Sequence, residues 1–160
     1  MSHVLRVCGL LLLVAIPSLA SAQDERQAAT QALIAYFGAF VDAVKTGDPT
    51  EVSQHLTEPF VSIEPSRTSV YATRADYEAW LKPVLATVKE RGYDHADWLQ
   101  LDLKLLSKEL AIASTLLVRY KSDNTEFGRA GATYLMRKVE DRWKIVSLTT
   151  HDTATVLKLD

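Results

Sequence analysis

The chain has 160 residues, of which 18 are basic and 20 acidic, for a formal net charge of −2 with its four histidines neutral. That near balance, without any run of like charges, excludes the clustered basic face that nucleic acid calls for. A single cysteine excludes an internal disulfide, and the length suits one domain with a sizeable core.

Taken in order, the chain opens with MSHVLR, an apolar run from Val7 to Ala15, and then Ala20-Ser21-Ala22. A basic start, a short apolar core and a small-residue site describe a secretory signal peptide, since a membrane span needs about 20 apolar residues. Cleavage is expected after Ala22. Residues 1–22 are then a leader and residues 23–160 a single mature domain, secreted or periplasmic and free of the membrane once cleaved. The leader takes with it Cys8 and Arg6, so the mature chain has no thiol and carries 17 basic against 20 acidic residues, a net charge of −3.

From about Asp24 to Thr46, Leu33, Phe37, Phe40 and Val44 recur at helical spacing. Gly47 ends this first helix. Asp48-Pro49-Thr50-Glu51 starts a second, with Asp48 as N-cap, Pro49 at the first helical position and Glu51 placed for a capping box, running to about Thr57. Pro59 to Glu64 reads as a strand and Val70 to Ala72 as a short second one. Thr73 and Asp76 then open a third helix with Tyr77, Trp80, Leu81, Val84, Leu85 and Val88 as its apolar stripe, ending at Gly92. Pro83 inside it predicts a kink near Ala79 to Pro83.

From His95 the period changes to two: Leu99, Leu101, Leu103 and Leu105 alternate with Trp98, Gln100, Asp102 and Lys104. A strand from Ala111 to Ser122 follows a turn at Ser107 to Leu110, and Asp123-Asn124-Thr125 turns the chain into a final hairpin, Gly128 to Asp152, about Glu140-Asp141-Arg142. In the last strand strict alternation puts Trp143, Ile145, Ser147, Thr149 and His151 on one face, and Val146 and Leu148 on the other. The first face passes from apolar to polar. A covered sheet face opening into a pocket has that gradient, and so does a strand running out into solvent.

Helices followed by a run of antiparallel strands describe an α+β domain. The residues Tyr36-Phe37…Gly47-Asp48, Pro59-Phe60, Arg91-Gly92-Tyr93, Tyr134-Leu135-Met136-Arg137 and Trp143-Lys144-Ile145, in this order, resemble the nuclear transport factor two-like (SnoaL-like) superfamily across nearly all of the mature chain. The resemblance implies a cone-shaped, cystatin-like fold, three N-terminal helices packed on a strongly curved mixed, mostly antiparallel sheet around a pocket, and a homodimer formed through the outer sheet face. It does not fix an activity, because the superfamily hosts isomerases, cyclases, dehydratases and transport adaptors.

Aligned with the steroid isomerases of that superfamily, the position of their catalytic carboxylate falls on Glu64-Pro65. Their oxyanion-binding tyrosine falls on Phe40, and no carboxylate stands near Tyr134 to Met136, where their protonated aspartate would be. A base without such stabilisation lacks the larger catalytic contribution. His151 is the other candidate base, because histidine titrates near neutrality and His151 shares a predicted face with Trp143 and Ile145. The candidate ligand-binding residues are Tyr36, Phe40, His55, Trp80, Trp98, Arg119, Tyr134, Thr149 and His151. Arg119 stands out: on an inner strand position its guanidinium needs a carboxylate or an anionic ligand.

The histidines lack metal-site spacing and no Gly-rich phosphate loop follows a strand, so neither a metal nor a cofactor is expected. The leading expectation is an exported domain binding a small apolar or anionic molecule. The alternatives are a cofactor-independent lyase, isomerase or hydrolase using Glu64 or His151 as base, and a dimeric association module.

Overall fold

A computed structural model describes residues 18–159. Most of the expected leader lies outside the described residues. The first helix, α1 (Ser18–Thr46), begins earlier than its apolar spacing predicts and runs without a break through the expected cleavage point. Leu33, Tyr36 and Val44 on one face of α1 are almost completely buried, whereas Ile34 on the flank is 43 % exposed. Gly47 ends the helix at φ +79°, a conformation that glycine adopts at little cost.

The short α2 (Thr50–Ser53) starts one residue later than its sequence suggests, with Pro49 rather than Asp48 at the N-cap position and no side-chain cap there, although Asp48 Oδ1 accepts from the backbone N–H of Thr50 at 2.9 Å. The predicted Glu51 capping-box bond is not among its contacts; Glu51 accepts instead from Gln54. The helix is also shorter than expected, because β1 (Leu56–Glu64) starts three residues before Pro59. A tight turn leads to β2 (Arg67–Tyr71). The third helix, α3 (Arg74–Glu90), opens with a complete capping box between Thr73 and Asp76 and continues through Pro83. Tyr77, Leu81 and Leu85 are its buried face.

Four long strands complete the chain: β3 (Tyr93–Leu105), β4 (Leu110–Lys121), β5 (Glu126–Val139) and β6 (Arg142–His151). They form one six-stranded sheet in the order β2-β1-β6-β5-β4-β3. Its β1–β6 pairing is parallel and all others are antiparallel. The helices cover one face, and a single core of Leu33, Leu81, Leu85, Met136 and Ile145 fills the space between. A 3-10 turn, Thr153–Thr155, follows β6, and the chain then crosses the other face of the sheet, where Leu157 N donates to Ser114 Oγ at 3.0 Å and Gln100 Nε2 donates to Leu157 O at 3.2 Å.

Bulges decide which side chains point inward, because one extra residue reverses the alternation beyond it; the ladder shifts at Asp94 of β3, between Leu56 and Val61 of β1, and at three further places. In β6, Met136 pairs with Ile145 but Leu135 pairs with Ser147, which leaves Val146 as the extra residue. Beyond it the inner positions are Leu148 and Thr150, opposite Tyr134 and Ala132. Ser147, Thr149 and His151 therefore lie on the outer face, opposite to the strict alternation expected from the sequence. In β3 the extra residue is Leu99: Trp98 pairs with Leu117 and Gln100 with Leu116. Trp98 thereby joins Leu101, Leu103 and Leu105 on the inner face, and Leu99 is left 55 % exposed. In β5 it is Phe127, between the Tyr120–Glu126 and Arg119–Gly128 pairs.

Candidate functional site: an aromatic cavity with an inward arginine

Between α1, α3 and the concave face of the sheet lie two adjoining chambers of about 250 and 100 Å³. Both are lined by Tyr36 and Phe40 of α1, Tyr93 of β3, Arg119 of β4 and Leu148 of β6. The larger adds Phe60 and Ser62 of β1, Tyr77, Trp80, Leu81, Val84 and Val88 of α3, and Arg91 and Phe127 at its rim. The smaller adds Phe37, Ala96, Leu117, Ala130, Ala132, Tyr134 and Thr150. Each helix contributes at helical spacing and the strands at every second position except across the bulges, where Tyr93 and Ala96 and again Phe127 and Ala130 lie three apart, so the lining is the continuation of the core where side chains stop short of meeting.

The aromatic walls brace one another. The rings of Tyr71, Tyr77 and Trp80 lie within 5.4–5.6 Å of each other, with Phe60 edge-on to Tyr77 at 5.2 Å. On the α1 side Phe37 packs edge-on to Tyr36 at 5.1 Å and to Tyr134 at 5.8 Å. Such geometries favour a fixed arrangement beyond simple burial. Burial pushes the Tyr36 hydroxyl up to about 12, against the opposing charge of Arg119. It drives Tyr77 and Tyr134 well above the usual phenol value. These groups are neutral hydroxyls at physiological pH, and serve as hydrogen-bond donors rather than bases.

Arg119 occupies an inner position of β4 and is half-buried. Its partners across the sheet are Ala96 on β3 and Gly128 on β5, so the space around the guanidinium is not filled by neighbouring side chains. Arg91, the residue that caps α3, sits with its guanidinium carbon 5.0 Å from the centre of the Phe127 ring. Neither aspartate, glutamate nor histidine is among the described residues lining the two chambers.

Of the sequence-predicted ligand residues, Tyr36, Phe40, Trp80, Arg119 and Tyr134 line the cavity. Four do not. His55 stands edge-on behind Tyr36, ring centres 6.4 Å apart, and burial lowers its pKa. Trp98 packs edge-on against Phe37 and lines a separate groove between α1 and β3 with Ile34 and Val41. Thr149 and His151 are on the outer sheet face because of the Val146 bulge. There His151 Nε2 lies 3.1 Å from Thr133 Oγ1 and Nδ1 lies 3.0 Å from the Asp152 carbonyl.

Glu64 shares a face with Ser62 but sits at the end of β1, outside the cavity lining, where its carboxylate accepts from Arg67 at 3.0 Å. Neither candidate base reaches the chambers. Trp80 packs on Tyr71 and Tyr77, whereas the Trp143 ring lies 5.6 Å from Lys138 Nζ, which is ion-paired to Glu25 on α1.

Sequence reasoning placed Tyr77 and Val84 in the core and passed over Ser62, Arg91, Tyr93 and Phe127. Arg91-Gly92-Tyr93 was legible as a helix end but carries no signal that both flanking side chains face a cavity. Leu148 and Thr150 were assigned outward for want of the bulge.

A larger open hollow of about 540 Å³ lies over the N-terminal end of α1, walled by Ser21, Ala22, Glu25 and Leu105 to Lys108. Two of its walls belong to the expected leader, so cleavage would dismantle it. Among the described residues no cluster of three or more metal-ligating side chains occurs, and no helix is long and apolar enough to cross a membrane.

An open cone of this kind, helices on a bent six-stranded sheet with the cavity between them, is a nuclear transport factor 2-like fold. The chain belongs to the family described as NTF2-like protein (DUF6841), whose model matches residues 24–153. Solved structures agree in architecture. An NTF2-like protein with a cystatin-like fold from Novosphingobium aromaticivorans is 15 % identical, with TM-score 0.66 over 86 % of this chain and 90 % of that one. An NTF-2 like protein from Shewanella oneidensis is 18 % identical, with TM-score 0.59 over 77 % and 98 %. A ketosteroid isomerase-like protein from Erwinia carotovora atroseptica is 19 % identical, with TM-score 0.55 over 79 % and 95 %. At these identities the likeness is one of fold. No curated protein matches the chain.

Proposed function

We propose that the protein is an exported binding domain that holds one small, mainly apolar molecule between α1, α3 and the sheet. The observation that carries this reading is the lining of the cavity: braced aromatic walls, neutral phenols, and no carboxylate or imidazole among its described residues. A site built this way can grip a flat molecule and hydrogen-bond it. It has no group to take a proton from it near neutrality, which weighs against base catalysis by Glu64 or His151. The chambers, about 250 and 100 Å³, only together reach the lower end of the roughly 300–1,000 Å³ typical of small-molecule sites, which favours a one- or two-ring ligand.

The test uses naphthalene-2-methanol as a neutral probe. It is expected to raise the melting temperature and to change Trp80 fluorescence, a change absent in Trp80→Phe. Val84→Trp, which fills the larger chamber, should abolish binding while the far-ultraviolet spectrum stays that of the wild type. Failure of neutral and acidic one- and two-ring compounds alike to bind would overturn the reading.

Export rests on the basic start, the apolar run and Ala20-Ser21-Ala22. N-terminal sequencing of periplasmic or secreted material should begin at Gln23; the full chain retained in membranes would contradict it. The reading includes a homodimer. Val70, Val61, Ser147, Leu135 and Ile112 stand in one cross-strand row on the outer sheet face, and Val70 is 65 % exposed. An apolar row of this kind suits a second copy of the same sheet.

A further inference from the structure

The geometry points to a carboxylate on the ligand, seated on Arg119, with the ligand's flat apolar body against Phe40 and Trp80. The inference rests on the reading of the cavity as a ligand site and names the chemistry of what enters it: a monocarboxylic acid on a one- or two-ring frame.

Arg119 is the starting point. Its side chain projects from the inner face of β4 into a cavity whose walls are otherwise mostly aromatic and aliphatic. A guanidinium partly withdrawn from water into such walls gains most when its fork of N–H donors is matched by an anion or acceptors. Among the described residues it has no ion pair and no side-chain hydrogen bond. Of the carboxylates on the neighbouring strands, Asp94 is engaged with His95 at 3.0 Å and Glu126 with Arg129 at 3.0 and 3.1 Å, while Asp97, opposite Val118, alternates to the other face of β3 from Ala96 and lines neither chamber. The protein thus supplies the cation without supplying its anion.

The neighbours of Arg119 leave room for such a group. Ala96 and Gly128 flank Arg119 in the sheet, so neither partner in the ladder sets a large side chain beside it. Nearby Tyr36 and Tyr134, kept protonated by burial, are oriented by chemistry to donate to an oxyanion rather than compete for it. Arg91 adds a second positive charge at the rim, held on the Phe127 ring, where it draws anions toward the mouth. One inner guanidinium in so small a chamber matches the charge and planar two-oxygen geometry of a carboxylate better than a dianionic phosphate.

The test compares two probes of equal frame, 2-naphthoate and naphthalene-2-methanol, by titration calorimetry with the mature wild-type protein at pH 7.5. The acid should bind about 10- to 100-fold more tightly, the range for a hydrogen bond to a charged group. In Arg119→Gln the ratio of acid to alcohol affinity should fall to within about threefold, and in Arg119→Lys, which keeps the charge but loses the fork, it should lie between. Equal affinities for acid and alcohol in the wild type would overturn the carboxylate inference and leave the cavity reading standing. An acid preference undiminished in Arg119→Gln and in Arg119→Lys would overturn the assignment to Arg119. Binding of neither probe would overturn both readings together. The wild-type comparison decides the ligand chemistry even where a variant fails to fold.

Discussion

The imidazole of His151 lies over Gly131, its partner across the β5–β6 ladder, so closely that a Cβ built on Gly131 would stand 2.7 Å from His151 Nδ1 and 2.8 Å from the Asp152 carbonyl. The glycine is the floor on which the C-terminal turn rests. Asp152 accepts from Ala154 and Thr155, so its carbonyl has little freedom to retreat. Gly131→Ala should therefore destabilise the protein by about 1–3 kcal/mol, an overpacking effect. In urea titration, Gly131→Ala/His151→Ala should recover only part of the loss, since the backbone contact persists; full recovery would show that the imidazole alone is in the way.

Trp143 and His151 bracket the same strand and are expected to differ in what their removal costs. Trp143 is 6 % exposed and anchors the sheet under the Lys138–Glu25 pair, and truncating it leaves a cavity: about 3–5 kcal/mol for Trp143→Ala. His151→Ala loses polar contacts to Thr133 and Asp152 on the outer face, on the order of 1 kcal/mol. Equal midpoint shifts in urea would contradict this placement of the two side chains.

High pH should unfold the domain from the cavity outward. A group whose pKa is raised on folding contributes stability that is complete below its unfolded value and lost as pH climbs through its folded one. For Tyr36 that window runs from about 10 to about 12, and its loss amounts to about 3 kcal/mol. Tyr77 and Tyr134, raised by burial as well, add to it. Phenolate absorbance at 295 nm and the loss of far-ultraviolet ellipticity should coincide above pH 10, and Tyr36→Phe should move the transition upward. Titration of buried phenols near pH 10 in a folded protein would count against the tight packing described.

The outer-face row gives a concentration-dependent prediction. Val70→Lys and Leu135→Lys place charges in the proposed contact between copies and should convert a dimer to a monomer in light scattering, with little change in melting temperature at low protein concentration. A wild-type protein that scatters as a monomer at every concentration would remove the dimer.

Much of this architecture was legible in the amino acids. Leu33, Val44, Tyr77, Leu81 and Leu85 announce their helices by spacing, and Thr73 and Asp76 announce the start of α3 by a capping box that the structure contains. Tyr36, Phe40, Trp80, Arg119 and Tyr134 reach the cavity because they lie on regular stretches where periodicity holds. The misplacements, Trp98, Leu148, Thr149 and His151, all lie at or beyond a bulge. An extra residue in a ladder has no local signature: Val146 and Leu99 are ordinary strand formers, and only the partner strand reveals that one of them is unpaired. His55 and Glu64 lie outside the two chambers for another reason, since each sits at the end of an element, where direction depends on the adjoining turn.

The Val146 bulge implies that this wall of the cavity is set by register as much as by side-chain identity. Were Val146 drawn into the ladder opposite Leu135, Ser147 and Thr149 would turn inward and Leu148 and Thr150 outward, giving one wall hydroxyls where it now has a leucine. Deleting Val146 would instead heal the ladder with Ser147 still opposite Leu135, and the wall would keep its leucine. A slip of one residue, with composition unchanged, is thus enough to give the same cone a different interior.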